Sequence, residues 1–428
     1  MLIVALAAAA IGAQRADPFG ETATDLVREP AIGYFTNTAT DPVARLKARV
    51  DRGELSLAFD AGSKTGYLRA VLDALAVPVD SQVLVYSKSS VQSLYINPRN
   101  PRALYFNDAV TVGFIRGAPL LELAAQDPKE GVVFYTVNQS AEGRPAIERR
   151  DFCLSCHYGL ATSGVPGMLV RSIVTSPTGS TLPQLGNYVI DHRSPFEQRW
   201  GGYYVTGRHG AARHLGNALV DRANPEVPAA AAQNLTSLAD RFDSEAYPSA
   251  NSDIVALLAF DHQMRMMNLL TRVGWEVRIA EAADRDAAAV ARELAVPLVD
   301  YMLFIDEAPL PTGAALNDVN DVIKGTTTFA ATFAARGPKD RRGRSLRQLG
   351  LAEGRLLRYP CSYLIYSEAF DALPPTARDA VHRRLWEVLS SPTGNDSNPR
   401  YRHLSGPDRR AIVEILRDTK GDLPAYFH

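Results

Sequence analysis

The sequence predicts an α+β fold that is mainly α, with short β-strands before residue 150 and a helical half from residue 251 to 428. Two patterns and one break carry this expectation. Between Gln82 and Gln139, β-branched and aromatic residues gather in short runs punctuated by Pro98, Pro101, Pro119 and Pro128. From Ser252 onward, apolar residues recur at helical spacing. Residues 223–250, rich in Pro, Ala and Asn, read as the linker between the two parts. At 428 residues, 46% hydrophobic and 22% charged, the chain has material for one large core or two to three domains.

In chain order, residues 1–13 read as a secretory signal peptide: Leu2 to Ala10 is unbroken and apolar, followed by the small residues Gly12 and Ala13 and then Gln14-Arg15. The run is too short to cross the roughly 30 Å of hydrocarbon in a bilayer, and no later segment approaches that length. The expectation is an exported, periplasmic or secreted protein without a transmembrane span after cleavage. Residues 14–150 form a mixed α/β region. Val43–Leu55 and Thr65–Leu75 carry helical spacing, with Leu68, Val71, Leu72 and Leu75 on one stripe. Val83–Tyr86, Ala109–Phe114 and Val132–Val137 are expected strands. Within residues 151–222, Gly201–Gly207 is a further strand or strand-turn. Beyond the linker, helices are expected over Ile254–Ala280, Arg285–Phe304, Thr326–Ala335, Pro375–Leu389 and Pro407–Lys420.

The most specific signal is Cys153-Leu154-Ser155-Cys156-His157, the attachment pattern of c-type haem. On a helical turn Cys153 and Cys156 share a face, so their sulfurs can add to the two vinyl groups of one porphyrin. His157 then offers an imidazole nitrogen to the iron. A zinc site would want further soft ligands at short spacing, and only Cys361 remains, most simply a buried structural thiol. A thioredoxin-like dithiol has no need of the adjoining histidine. Covalent haem attachment takes place outside the cytoplasm, which agrees with the leader.

The motif, the following Gly164-Val165-Pro166-Gly167 and the closing helix Asp408–Arg417 resemble the corner pieces of c-type cytochromes. The whole chain also resembles large single-haem cytochrome c domain proteins. The resemblance implies a cytochrome c-like haem site embedded in a larger fold, one covalent haem c with its iron, and the Pro166 carbonyl as acceptor for the second ring N–H of His157.

The sixth iron ligand is open between several candidates. Met168 is the only methionine between His157 and Met264, and it lies close to the proximal histidine. The segment from Asp191 to Asn217 places His192, His209 and His214 among glycines and aromatics. His209, between Gly207 and Gly210, is the first choice as distal ligand or base, and His214 the second. His262 competes from an inward stripe with Val255, Leu258, Met266 and Leu269. His382, His403 and His428 are expected on exposed faces or at the terminus. Haem propionates need cations: Arg199 is the strongest candidate, with Arg149, Arg150 and Arg171 behind it.

A formal net charge of -1 gives no basis for a nucleic-acid partner. Glycine-rich nucleotide loops, phosphate loops and His-Glu-X-X-His elements do not occur. Two functions remain: electron transfer with a redox partner protein, or a haem enzyme whose open iron face handles peroxide or another small oxidant.

Overall fold

A computed structural model describes residues 25–223, 232–312, 322–391 and 399–428. The expected signal peptide and residues 224–231 of the expected linker lie outside the described residues.

The strands β1 (Val83–Val85), β2 (Arg102–Phe106), β3 (Val110–Phe114), β4 (Leu120–Asp127), β5 (Gly131–Asn138), β6 (Ile147–Arg149) and β9 (Tyr203–Tyr204) form one antiparallel sheet. Their order is β6-β5-β4-β3-β2-β1-β9. A separate hairpin pairs β7 (Val170–Ile173) with β8 (Asn187–Ile190). The expected strands at 83–86, 109–114 and 132–137 are present to within a residue or two at each end. The Gly201–Gly207 strand shrinks to the two residues of β9.

Both faces of the large sheet are covered, so its strands are apolar almost throughout rather than alternating. One face carries Leu84, Ala103, Tyr105, Val112, Leu123 and Tyr135 and packs on α1 (Pro42–Asp51) and α2 (Leu68–Ala74). Asp41 caps α1 through the amides of Val43 and Ala44 and accepts a hydrogen bond from the Tyr135 hydroxyl at 2.5 Å, tying α1 to β5. The opposite face carries Val85, Leu104, Phe106, Ala124, Val132 and Phe134, and packs on α4 (Ile254–Ala282).

Of the 29 residues of α4, 23 are buried, which makes it an interior helix and not an amphipathic surface one. Around it lie α5 (Ala287–Met302), α6 (Phe329–Ala335), α7 (Glu368–Asp371), α8 (Pro375–Ser390) and α9 (Gly406–Thr419). The expected helical C-terminal half is therefore present, with ends displaced by three residues at most. The architecture is α+β, with the sheet layered between the N-terminal helices and the α4 assembly.

Phe260 of α4 lies against Phe106 of β2 with ring centroids 4.9 Å apart, and both are about 1% exposed. Phe260→Ala removes the main ring joining α4 to the sheet. We expect the urea midpoint to report a loss of about 3–5 kcal/mol. A loss below about 1 kcal/mol would mean that this contact does not hold helix to sheet.

Candidate functional site

The chain leaves β6, makes a 3-10 turn at Asp151–Cys153 and continues into the short helix α3 (Leu154–His157). Cys153 and Cys156 are therefore on one helical face, as the spacing requires. Both are free thiols: Cys156 is exposed and Cys153 half-buried against the core. The exposed apolar residues Phe152 and Leu160 flank the turn, at 55% and 68% exposure.

His157 points back into the protein. Its ring lies on Phe134 at a centroid distance of 4.8 Å, and Nδ1 is 3.0 Å from the Gly167 carbonyl oxygen. A carbonyl can only accept, so Nδ1 carries the hydrogen and Nε2 holds the lone pair. Burial lowers the affinity of the ring for a second proton, and the Arg102 charge acts in the same direction. The result is a neutral imidazole with a defined tautomer and no hydrogen-bond partner for Nε2 among the described residues.

The acceptor is thus Gly167, one residue beyond the expected Pro166. The Pro166 carbonyl instead accepts from the Val132 amide at 3.0 Å, anchoring the loop to β5. The Gly167 amide returns a hydrogen bond to the His157 carbonyl at 2.9 Å. Two side chains of α4 complete the support. Asn268 accepts from the Met168 amide (3.2 Å) and donates to the Met168 carbonyl (2.7 Å), and Arg272 Nη1 donates to the Ser163 carbonyl at 3.0 Å. A Cβ on Gly167 would stand 2.2 Å from Asn268 Oδ1, so any larger residue there must push the Asn268 amide off the Met168 backbone.

Below His157 the sheet presents a polar pair that sequence inspection missed. Arg102 on β2 donates through Nη1 to Glu122 Oε2 on β4 at 3.1 Å, although β3 lies between. Gly113 makes this reach feasible. It sits opposite both Leu104 and Glu122 and offers no side chain to separate the two strands. Ser90 and Gln92 donate to Glu122 Oε1 at 2.7 and 3.0 Å. Despite burial, these partners hold the Glu122 carboxyl below its ordinary range, and it remains an anion. The only hint in the sequence was a charged residue within each of two otherwise apolar runs.

Burial pushes the Cys153 thiol up to about 11, and the Glu122 charge adds to the effect. A redox-active dithiol requires the opposite, a lowered thiol. Cys153, Cys156 and His157 do not converge on one point as metal ligands, and among the described residues no three His, Cys, Asp or Glu side chains do.

The other expected residues lie elsewhere. Arg199 is 1% exposed and its donors are occupied: Nε and Nη2 bind the Ser194 carbonyl, Nη2 also binds the His192 carbonyl, and Nη1 faces Asp261 at 3.5 Å. It is a structural arginine, not a cation free for a propionate. Asp261 also accepts from the Trp200 indole at 3.1 Å. Burial pushes its carboxyl up to about 7, against the pull of Arg199 and Trp200. Arg149 and Arg150 pair with Asp151 and Glu148, and Arg171 donates to Asn187.

Four of the five buried histidines pair with one another. His209 Nδ1 is bound to the Ala212 carbonyl, and its Nε2 accepts from the Asn234 amide at 3.0 Å and lies 3.1 Å from His214 Nε2. His192 and His262 meet through Nδ1 at 2.8 Å, and His262 Nε2 reaches Ser362 Oγ at 2.8 Å. His382, expected on an exposed face, is 2% exposed, between Phe370 and Phe427. Cys361 is buried, as expected. Compared with known proteins, the chain matches no family model, no curated protein and no solved structure.

These residues fit a covalently held haem at the motif. Two thiols share a face, His157 keeps a bare Nε2 on a fixed ring, and Arg102 Nε is buried without a partner. Gly167→Ala should displace Asn268 and lower stability by about 1–3 kcal/mol in urea, the usual cost of overpacking. A change below about 0.5 kcal/mol would show that the Asn268 amide swings aside freely.

The histidine pairs set an acid limit. Burial lowers His262 to about 3 and drives His192 and His214 well below the ordinary 6.5. Folded-state pKa values below unfolded ones mean that the unfolded chain binds more protons between pH 6.5 and about 3, so stability falls as pH drops through that window. Asp261 opposes this, because its raised pKa makes the folded state the better proton binder between about 4 and 7. The urea midpoint should be lower at pH 5 than at pH 7, and Asp261→Asn should steepen the decline. A midpoint unchanged or higher at pH 5 would contradict the neutral pairing.

Proposed function

We propose that this chain is a covalent c-type haem protein acting in electron transfer outside the cytoplasm. One observation carries the reading. Directly beside two free thiols on one helical face, His157 is neutral, held through Nδ1 by Gly167 and unpartnered at Nε2. Fixing one ring nitrogen while leaving the other bare is how proteins orient a metal-binding histidine and raise its basicity. Haem held there would supply one-electron chemistry over a potential range set by its ligands and burial. The protein's part is to fix the ring through Gly167, shield one side with Phe134 and the α4 core, and hold the Arg102–Glu122 ion pair on the same sheet face. No helix among the described residues is long and apolar enough to cross a membrane. Export to the periplasm or beyond follows from the leader and from where such attachment takes place. A redox partner protein is the implied consumer or donor of the electron.

A second reading, a haem enzyme with an open iron face, draws on the histidine pairing. His209 and His262, both candidate sixth ligands, have both ring nitrogens engaged by other residues. Binding iron through either would require those bonds to break. The Met168 backbone is pinned by Asn268, and its side chain packs on the core.

After denaturing electrophoresis, haem-linked peroxidase staining should follow the polypeptide and disappear in Cys153→Ala/Cys156→Ala. Unstained wild-type protein from a host competent in haem attachment would sink the assignment. Optical spectra then separate the two readings. A low-spin wild type that turns high-spin on His209→Ala marks His209 as sixth ligand of an electron carrier. Carbon monoxide binding by the ferrous wild type, unchanged by that substitution, marks an open face.

A further inference from the structure

The guanidinium of Arg102 is only partly used. Nη1 goes to Glu122, whereas Nε is buried without a hydrogen-bond partner and Nη2 carries no bond among the described residues. Nε and Nη2 form the side-on edge of the guanidinium, two parallel N–H donors spaced for the two oxygens of one carboxylate. The arginine cannot neutralise itself to relieve this, since a guanidinium stays protonated in proteins. Glu122 cannot satisfy the free edge either, because its other oxygen is taken by Ser90 and Gln92. Nε is thus a buried charged donor without an acceptor, which is unfavourable, and Nη2 stands beside it with no bond. A buried polar group left this way calls for a physical reason, and an acceptor supplied by a bound ligand is one.

Its location indicates which ligand. Glu122, which holds Arg102, lies opposite Thr136 of β5, two residues from Phe134, whose ring lies on His157 at 4.8 Å. Arg150, just before the motif, donates to Thr136 Oγ1 at 3.0 Å, so the fork lies on the sheet face that meets the motif. The other cations near the motif, Arg149, Arg150 and Arg171, already have side-chain acceptors.

Resting on the haem reading above, we propose that the Nε/Nη2 fork of Arg102 binds a carboxylate of the ligand seated on His157, a haem propionate, with Glu122 and Gly113 holding the fork in place. Arg102 thereby takes the role that the sequence suggested for Arg199. Glu122 aims the fork from the opposite edge, and Gly113 leaves the gap through which the two side chains meet.

The test uses the full-length holoprotein after haem staining has been scored. Resonance Raman spectra of the ferrous protein contain a propionate bending band that follows hydrogen bonding at the carboxylate. Arg102→Lys keeps the charge and removes the planar fork, and Arg102→Leu removes both. The band should shift in both variants. In Arg102→Leu the reduction equilibrium should also move about three- to tenfold toward the ferric form, since a cation beside the haem favours the reduced state. If Arg102→Leu does not accumulate as folded protein, Arg102→Lys alone decides through the band position. A band unmoved in every variant that folds, with haem attached, overturns the role of Arg102 and leaves the haem assignment standing. Wild-type protein without attached haem removes the assignment itself, which separates the two failures.

Discussion

Placing α4 in the interior on every side creates the obligation that organises the rest of the molecule. The helix is not purely apolar: Asp261, Arg265, Asn268, Arg272 and Glu276, spaced four, three, four and four residues apart, form a polar stripe along a helix otherwise rich in Ala, Leu, Val, Ile and Met. Buried polar groups must find partners or forfeit several kcal/mol. All but Glu276, which pairs with Arg272 within the helix, therefore recruit a loop. Asp261 takes the Trp200 indole and faces Arg199, Arg265 pairs with Asp191 at 3.3 Å, Asn268 holds Met168, and Arg272 holds Ser163 and Glu276. The loop under His157 and the Asp191–Trp200 segment are consequently laid side by side along one helix face. The orientation of His157 follows from a satisfied helix rather than from its own neighbours in sequence.

The same economy explains the condition of the histidines. A buried imidazole is held neutral by desolvation, and a neutral ring has one donor and one acceptor to place. At His157 the donor is placed and the acceptor is left. At His209, His214, His192 and His262 the rings address one another, so the interior carries two shared-proton contacts in which neither ring is charged. His192 Nε2 and His214 Nδ1 also lack partners, but both atoms are enclosed in the interior, whereas His157 sits on a half-buried turn. The difference between a structural and a ligating histidine here is therefore whether its open nitrogen can be reached.

Local order was legible where residue type alone dictates it. The Cys153–His157 spacing, the apolar run that becomes α4 and the β-branched strands β1, β3 and β5 are each visible within a short window. Strands β2 and β4 were less so: Arg102-Ala-Leu-Tyr-Phe106 and Leu120-Leu-Glu-Leu-Ala-Ala-Gln-Asp127 contain helix formers and charges, and become strands by pairing. Arg102 and Glu122 were invisible as a pair because register across a third strand, and a glycine at its centre, brings them together. Arg199 misled for the complementary reason: an arginine beside a tryptophan resembles an anion clamp, and nothing local says that a carboxylate from α4, 62 residues on, faces it. The Gly167 acceptor was missed by a single residue, since which carbonyl of a turn points inward depends on Asn268.

The support beneath His157 comes from far along the chain: Asn268 is 100 residues beyond Met168, and Arg272 is 109 beyond Ser163. Until α4 has docked, nothing braces the loop, and the thiols and imidazole of the motif belong to a pliant peptide. Its sulfurs are most open to a modifying enzyme before folding is complete, and docking of α4 then freezes the imidazole. Maturation of the motif and rigidity of the finished site are thus separated by a folding step that closes contacts far apart in the chain.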